Sequence, residues 1–548
     1  MKERKQDKRD KKQYRDDDLL ILMDDDLDSR LEQLPDDTKR EERSRKTKDT
    51  RARDVRTTPP PKRKKTSPKT EQKPAKALSA RKSKKPRNKE FARITYMFVS
   101  LFLVLMGYIV YFNVVEAKNI INSPYNRRQD LFADRVVRGK ILDKDGEVLA
   151  ETEVDEDGNE TRNYPQDDLF AHVLGYSVKG KAGLESVENF NLLTSNAFIL
   201  EKIVNEFQGK KNIGDNVVTT LDTDLQQAAY DALGDHKGAV VVMEASTGKI
   251  LSMVSKPTYD PNSVSEDWTK LNTDEDSALL NRATQGKYAP GSTFKLVTTL
   301  AFMRQNSNYE SYSYNCSSEI EHDGTTIHCS GDVAHGKEDL RLSVANSCNT
   351  SFSNIGLSLN IKKYRETAKE LLFNSELPSP LMYGESKFVL SEKDSDAELM
   401  MTSIGQGKTQ VSPYHMALIT SAIANGGKLM KPYLVDRITN YSGTTVTKNM
   451  PEEYKQLMTS EEASKLTEYM EAVVEEGTAK ALRGQNYTVA GKTGTAEYSI
   501  DKTKTHSWFV GFTNVDNPDL VISVVVEGAD TSGVRAVNVA KKILNSYY

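Results

Sequence analysis

Three short patterns in the chain carry groups that could do chemistry. The first is Ser292-Thr293-Phe294-Lys295, preceded by Pro290-Gly291. Residues three apart on a helix share a face, so Ser292 and Lys295 would be neighbours. A serine hydroxyl is a weak nucleophile until a base takes its proton, and a lysine whose pKa is lowered by burial can be that base. The residues that follow, Leu296, Val297, Leu300, Ala301 and Met303 with Phe294, are apolar on nearly every side and predict a buried helix over 292–303. Ser292 would open it, where free N–H groups favour developing negative charge. Taken alone, the pair reads more readily as a capping serine and a surface lysine. Ser-x-x-Lys also occurs at Ser79–Lys82, Ser246–Lys249 and Ser499–Lys502. Those copies fall in a charged tail, a hairpin turn and a polar loop.

The second pattern is Ser347-Cys348-Asn349, a hydroxyl that can pass a proton and an amide that can hold a peptide backbone. By itself it reads as a helix-cap cluster. The third is Lys492-Thr493-Gly494-Thr495, in which a cation and two hydroxyls suit a carboxylate and Gly494 lets a ligand approach an edge strand closely. By itself it reads as a surface turn, and it lacks the Gly-x-x-x-x-Gly lead-in of a phosphate loop.

The elements that must position these groups are predicted from periodicity. Thr223–Leu233 reads as a helix, and Gly238–Val254 as strand, turn at Ser246-Thr247-Gly248, and strand. Leu520–Glu527 reads as a buried strand. Strands at both ends with helices between predict a mixed α/β domain over 217–548. Upstream, alternating apolar residues around Lys144-Asp145-Gly146 predict a β-hairpin within Val136–Ala150.

Other reactive side chains suggest less. Cys316 and Cys329 flank His322 and His328, and a local disulfide between the two cysteines is one reading. Four ligands at the usual zinc spacing are not found, no His-Glu-x-x-His pattern occurs, and neither metal nor cofactor is expected. Cys348 reads as a small packing residue. Glu370 to Asn374 reads as the solvated face of a helix.

Charge is distributed unevenly. The net −3 combines −1 over residues 1–50, +14 over 51–93 and −16 from 94 onward. The acidic C-terminal part argues against nucleic acid as its ligand. Residues 1–93 are too polar to bury a core and are predicted to be disordered, the basic half lying against anionic inner-leaflet lipid or free in solvent. Ile94–Val115 is 22 residues without a charge. At about 1.5 Å per residue it would cross a bilayer core of about 30 Å. The basic residues from Arg81 to Arg93 predict a cytoplasmic N-terminus and an extracytoplasmic C-terminal part.

The order of the three patterns is more informative than any one of them. Ser-x-Asn begins 55 residues after Ser292, and Lys-Thr-Gly 145 residues after that. This order, together with Asn281-Arg282-Ala283-Thr284-Gln285-Gly286, Gly248 to Ser255, Gly405-Gln406-Gly407, Ala424-Asn425-Gly426-Gly427 and His506 to Gly511, resembles the class B penicillin-binding proteins, the monofunctional peptidoglycan D,D-transpeptidases. The resemblance covers roughly residues 90–548. It implies a five-stranded antiparallel sheet with helices on both faces, with the site between the sheet edge and the Ser292 helix. It divides the chain into a tail (1–93), a transmembrane helix (94–115), a non-catalytic pedestal (116–216) and a transpeptidase domain (217–548). Ser292 would attack the penultimate D-Ala carbonyl of a stem pentapeptide, with Lys295 as base. Ser347 and Asn349 would relay protons and position the substrate, and Lys492, Thr493, Gly494 and Thr495 would bind its carboxylate end. The backbone N–H groups of Ser292 and Thr495 would form the oxyanion hole. A second stem's amine would complete the cross-link, β-lactams would acylate Ser292, and a SEDS-family glycan polymerase is the implied partner. A β-lactamase, a β-lactam sensor and a non-catalytic scaffold are the competing readings.

Overall fold

The computed structural model describes residues 89–112, 134–498 and 503–548. The tail, apart from its last few residues, and the stretch following the apolar run therefore lie outside the described residues. Helix α1 (Lys89–Tyr111) takes in residues 94–111 of the apolar run and begins earlier than the charge pattern suggested, while residues 113–115 of the run lie outside the described residues. Its segment Phe91–Tyr111 has a mean hydropathy of 2.0 and no part of it is covered by protein, so it is long and apolar enough to cross a bilayer.

The region after residue 134 is organised by a buried ion cluster. Glu185 is fully buried and bonded by two guanidiniums: Arg138 Nε donates to Oε2 at 2.6 Å and Arg162 Nε to Oε1 at 2.7 Å. Arg138 also donates to the Glu185 carbonyl at 2.6 Å, and Arg162 to that of Gly139 at 2.7 Å. Burial raises the Glu185 carboxyl, but the two guanidiniums outweigh it and hold the group below its ordinary value of 4.5. Replacing Glu185 with alanine leaves two buried cations unpaired. We expect a loss of about 3–5 kcal/mol in urea unfolding, and a loss below about 1 kcal/mol would contradict this role. The depressed carboxyl also predicts that its stabilisation is complete above pH 4.5 and is lost as pH falls through its folded-state pKa.

The predicted hairpin forms, with Ile141–Leu142 antiparallel to Val148–Val154. It belongs to a six-stranded sheet whose other strands are Glu160–Asn163, Asn216–Thr219, Val435–Thr439 and Thr445–Lys448. The strand Asn216–Thr219 straddles residues 216 and 217, and it is fully buried against the distant strand Val435–Thr439.

Helix α2 (Thr223–Leu233) forms where periodicity placed it, capped by Asp222, whose carboxylate accepts from the Leu225 N–H at 3.0 Å. Strands β1 (Gly238–Glu244) and β2 (Ile250–Lys256) follow. They join β3 (Val489–Glu497), β4 (Thr505–Thr513) and β5 (Leu520–Val526) in an antiparallel sheet of order β3-β4-β5-β1-β2. Between β2 and β3 the chain forms helices α3 (Lys295–Gln305), α4 (Asn349–Ser358), α5 (Pro413–Ala424) and α6 (Ser460–Glu475), and it ends in α7 (Ala536–Tyr547). Every residue of β5 is buried, because α2 and α7 pack together over the sheet while α5 covers it independently of them. Helix α7 does so with Ala536, Val539, Ala540, Ile543 and Leu544, an amphipathic spacing. Helix α5 is buried all round, as a central helix must be. The sheet and its covering helices are those that the resemblance implied.

One local expectation needs correction. Ser292 does not open an α-helix: Gly291–Phe294 is a single 3-10 turn, and α-helical geometry begins at Lys295. In a 3-10 turn residues i and i+3 eclipse, so Ser292 and Lys295 remain on one side.

Candidate active site

Edge strand β3 and the 3-10 turn carrying Ser292 lie against each other. Gly291 has φ +53°, and a Cβ there would lie 2.4 Å from the Thr495 carbonyl oxygen, so only glycine permits this approach. Behind it Gly291 N–H donates to the Gly405 carbonyl at 2.8 Å. The segment leading to the turn is held to the sheet by two bonds to one carboxylate at the end of β5. Arg282 Nε donates to Glu527 at 2.8 Å and the Tyr288 hydroxyl at 2.6 Å. Trp508 of β4 adds an indole N–H bond to the Ala289 carbonyl at 3.1 Å.

A cleft of about 620 Å³ opens along this edge, lined by Ser292, Ser347, Asn349, Thr493, Gly494 and Thr495 among others. Lys295 and Lys492 lie beneath it, both fully buried. Lys295 Nζ donates to the Ser347 carbonyl and to Asn349 Oδ1, each at 2.7 Å, and reaches Ser347 Oγ at 3.3 Å. Lys492 Nζ donates to the same Ser347 Oγ at 2.9 Å and to the Thr493 carbonyl at 3.0 Å. The Ser347 hydroxyl thus bridges the two amines. Ser347 itself has φ +56°, a left-handed conformation costly for a residue with a Cβ. All three patterns therefore meet in one place, although Lys295 is bonded to Ser347 and Asn349 rather than to Ser292.

Burial lowers the Lys295 amine to about 7. Burial also holds Lys492 well below the ordinary lysine value, with the charge of Lys295 adding to the effect. Two ammonium groups on one buried hydroxyl repel each other, so the protons leave this pair in two macroscopic steps, both below the usual lysine range.

The cap reading of the second pattern also holds. Cys348 is the N-cap of α4, its sulfur accepting from the Ser351 N–H at 3.4 Å. Thr478 and Arg535 are among the cleft residues that carried no sequence signal. Thr478 bonds the Thr493 hydroxyl at 2.5 Å, and Arg535 lines the cleft just before α7. Each adjoins a helix, α6 or α7, whose position is set by tertiary packing. Asn374 is not on a helix face: it bonds the backbone of Phe388 in both directions, Nδ2 to O at 2.7 Å and N to Oδ1 at 3.1 Å. The Cys316 and Cys329 sulfurs are 3.7 Å apart and form no disulfide.

A serine on a sheet-edge turn, above two buried lysines that share a hydroxyl, defines an active-serine acyltransferase. Residues 238–545 match the penicillin binding protein transpeptidase domain, and residues 138–217 the penicillin binding protein A dimerisation domain. The peptidoglycan D,D-transpeptidase PbpA of Mycolicibacterium smegmatis is 32% identical over 465 residues, covering 80% of this chain and 94% of that protein. The penicillin G acyl-enzyme complex of penicillin-binding protein A from M. tuberculosis is 31% identical with a TM-score of 0.68, over 75% of this chain and 99% of that one. The D,D-transpeptidase domain of a peptidoglycan glycosyltransferase from Eggerthella lenta gives 32% and 0.68, over 75% and 98%. The chain belongs to the penicillin-binding protein transpeptidase family, in its class B.

Proposed function

We propose that the protein is a membrane-anchored peptidoglycan D,D-transpeptidase that works through a serine acyl-enzyme. The observation that carries the reading is the Ser347 hydroxyl held by two buried lysines under the cleft that exposes Ser292. Ser292 Oγ attacks the carbonyl of the penultimate D-Ala of a stem pentapeptide while neutral Lys295 accepts its proton. The proton passes through Ser347 to the leaving amine, and the terminal D-Ala departs. Lys492, Thr493 and Thr495 hold the terminal carboxylate, Gly494 lets the substrate backbone lie close to the strand, and Asn349 positions the peptide. The N–H groups of Ser292 and Thr495 stabilise the oxyanion. The amine of a second stem then attacks the ester and forms the cross-link, releasing Ser292. A β-lactam enters as a mimic of the D-Ala-D-Ala end and acylates the same oxygen.

The proposal places the tail of residues 1–93 in the cytoplasm, a single span at 94–115, a pedestal at 116–216 and the transpeptidase unit at 217–548 outside. The basic flank before α1 supports that orientation. Residues 51–93 would lie on anionic lipid. A SEDS-family glycan polymerase is the proposed partner, since a D,D-transpeptidase needs newly made glycan to cross-link.

The test is the intact mass of the full chain in detergent after benzylpenicillin, beside Ser292→Ala, followed by D-Ala release from a pentapeptide donor with an acceptor amine. A persistent single adduct absent from the variant, with D-Ala release, is expected. An adduct without D-Ala release would mean a sensor, rapid penicillin loss without an adduct a β-lactamase, and neither adduct nor loss a scaffold. The Lys295 value sets the pH dependence. Only neutral lysine accepts a proton, so acylation should rise about tenfold per pH unit below an apparent pKa near 7 and level off above it. A rate flat between pH 5.5 and 8.5 would remove Lys295 as the base.

A further inference from the structure

Beside the Ser347–Asn349 turn lie three buried cysteines and a histidine from four separate stretches of chain. Cys316 ends the strand Tyr314–Cys316, Cys329 follows the strand Thr325–His328, His335 precedes the strand Gly336–Glu338, and Cys348 caps α4. We infer that Cys316, Cys329, Cys348 and His335 form a structural zinc site that fixes the Ser347–Asn349 turn against the wall of the cleft.

The separations of the ligand atoms fit a tetrahedral shell. The sulfurs of Cys316 and Cys329 are 3.7 Å apart, as are those of Cys329 and Cys348, and Cys316 Sγ is 3.4 Å from His335 Nδ1. All four ligand atoms lie within 4.8 Å of one another. Zinc–sulfur bonds of about 2.3 Å and zinc–nitrogen bonds of about 2.0–2.1 Å at tetrahedral angles put sulfurs about 3.8 Å apart and sulfur and nitrogen about 3.6 Å apart. A set of three thiolates and one imidazole selects zinc over calcium or magnesium, and four protein ligands leave no open position for chemistry. Donors to the sulfurs surround the group: Thr350 Oγ1 lies 3.2 Å from Cys316 Sγ and 3.3 Å from Cys348 Sγ, and Ser351 N–H donates to Cys348 at 3.4 Å. A Cys316–Cys329 disulfide would not account for the Cys348 sulfur lying equally close to Cys329.

The surroundings need such a staple. Residues 314–338 form two two-stranded ribbons, Tyr314–Cys316 with Gly336–Glu338 and Glu319–His322 with Thr325–His328. Their buried apolar side chains are Cys316, Ile327 and Cys329. Ribbons this short are marginal on their own. Yet Ile327, His328, Cys329 and His335 line the cleft, and Asn349 Nδ2 donates to the His328 carbonyl at 2.8 Å. A metal on Cys348 and the ribbons would join this wall to the turn that bonds both lysines. Spacing along the chain hides the set, since the ligands are 13, 6 and 13 residues apart and no two form a close pair.

The test uses the full chain purified in detergent without chelator. Elemental analysis should give one zinc per chain, and exchange for cobalt should give thiolate-to-cobalt charge-transfer bands and intense tetrahedral d–d bands. Cys329→Ser and His335→Ala should lose the metal or the cobalt spectrum, and the wild-type spectrum decides the question even if a variant misfolds. Stripping the zinc should slow acylation by benzylpenicillin at least tenfold, restored by equimolar zinc. A chain that takes up neither metal, or that carries a Cys316–Cys329 disulfide by intact mass, would overturn the inference. The metal count is independent of activity, so it stands or falls apart from the transpeptidase reading.

Discussion

Lys295→Met should leave a folded protein whose acylation by benzylpenicillin is at least a thousandfold slower. General-base catalysis is worth about 10²–10⁴ in rate, and groups acting as one unit lose nearly all of it together. Methionine fills the same volume beside Phe352, whose ring centroid is 5.3 Å from the amine. It also relieves the cost of burying a charge. Against that, the Ser347 carbonyl and Asn349 Oδ1 each lose a donor at 2.7 Å, about 1–3 kcal/mol apiece. The two effects on stability oppose each other, so the protein should stay folded while its rate collapses. Stopped-flow acylation with thermal unfolding of the same preparation separates the two, and a rate within tenfold of wild type would end the assignment. The corresponding Lys492→Met chain should keep more acylation and lose affinity, because that amine is proposed to hold the carboxylate.

Gly405→Ala should disable the enzyme from beneath the nucleophile. Gly405 has φ +81°, and a Cβ on it would lie 1.8 Å from the Gly291 carbonyl oxygen, with Gly291 bonded to Gly405 through its own N–H. That oxygen is backbone, so it cannot turn aside. A left-handed alanine costs about 1–2 kcal/mol, and forced overpacking about 1–3 kcal/mol more. The expected loss is about 2–5 kcal/mol with the Ser292 turn displaced. Gly407→Ala is the control. Its φ is also positive, +78°, but its Cβ would meet the Glu398 Oε1 atom at 2.9 Å, the movable end of a side chain. It should cost about 1–2 kcal/mol, the backbone penalty alone, and acylate normally. Equal effects in the two variants would refute the contact argument.

The three site patterns could be read before the fold because each is local and their order along the chain is diagnostic. The helix Thr223–Leu233 and the strand from Leu520 could be read because one apolar period ran through each. The 3-10 turn at Ser292 could not, since its geometry is set by Gly405 on a distant segment. The left-handed Ser347 could not either: nothing in its own side chain favours φ +56°, and the bonds of two buried lysines hold it there. Thr478 and Arg535 reach the cleft from the ends of α6 and α7, helices whose amphipathic patterns specify a buried face but not which neighbour it meets. The same limit applies to sheet order. Runs of valine and isoleucine announce β5 and β1, but that the two lie side by side is decided by the whole packed domain.

The strand Asn216–Thr219 completes its sheet only by pairing with Val435–Thr439, more than two hundred residues later. At about 5–20 residues per second, the ribosome needs roughly 10–40 s to deliver that partner. Through that interval the newborn chain exposes an apolar strand with an unpaired edge, the kind of surface that invites aggregation and proteolysis. The nascent polypeptide is therefore most vulnerable in the middle of its synthesis. A premature stop before residue 435 would yield no free-standing N-terminal fragment, only a product for the quality-control proteases.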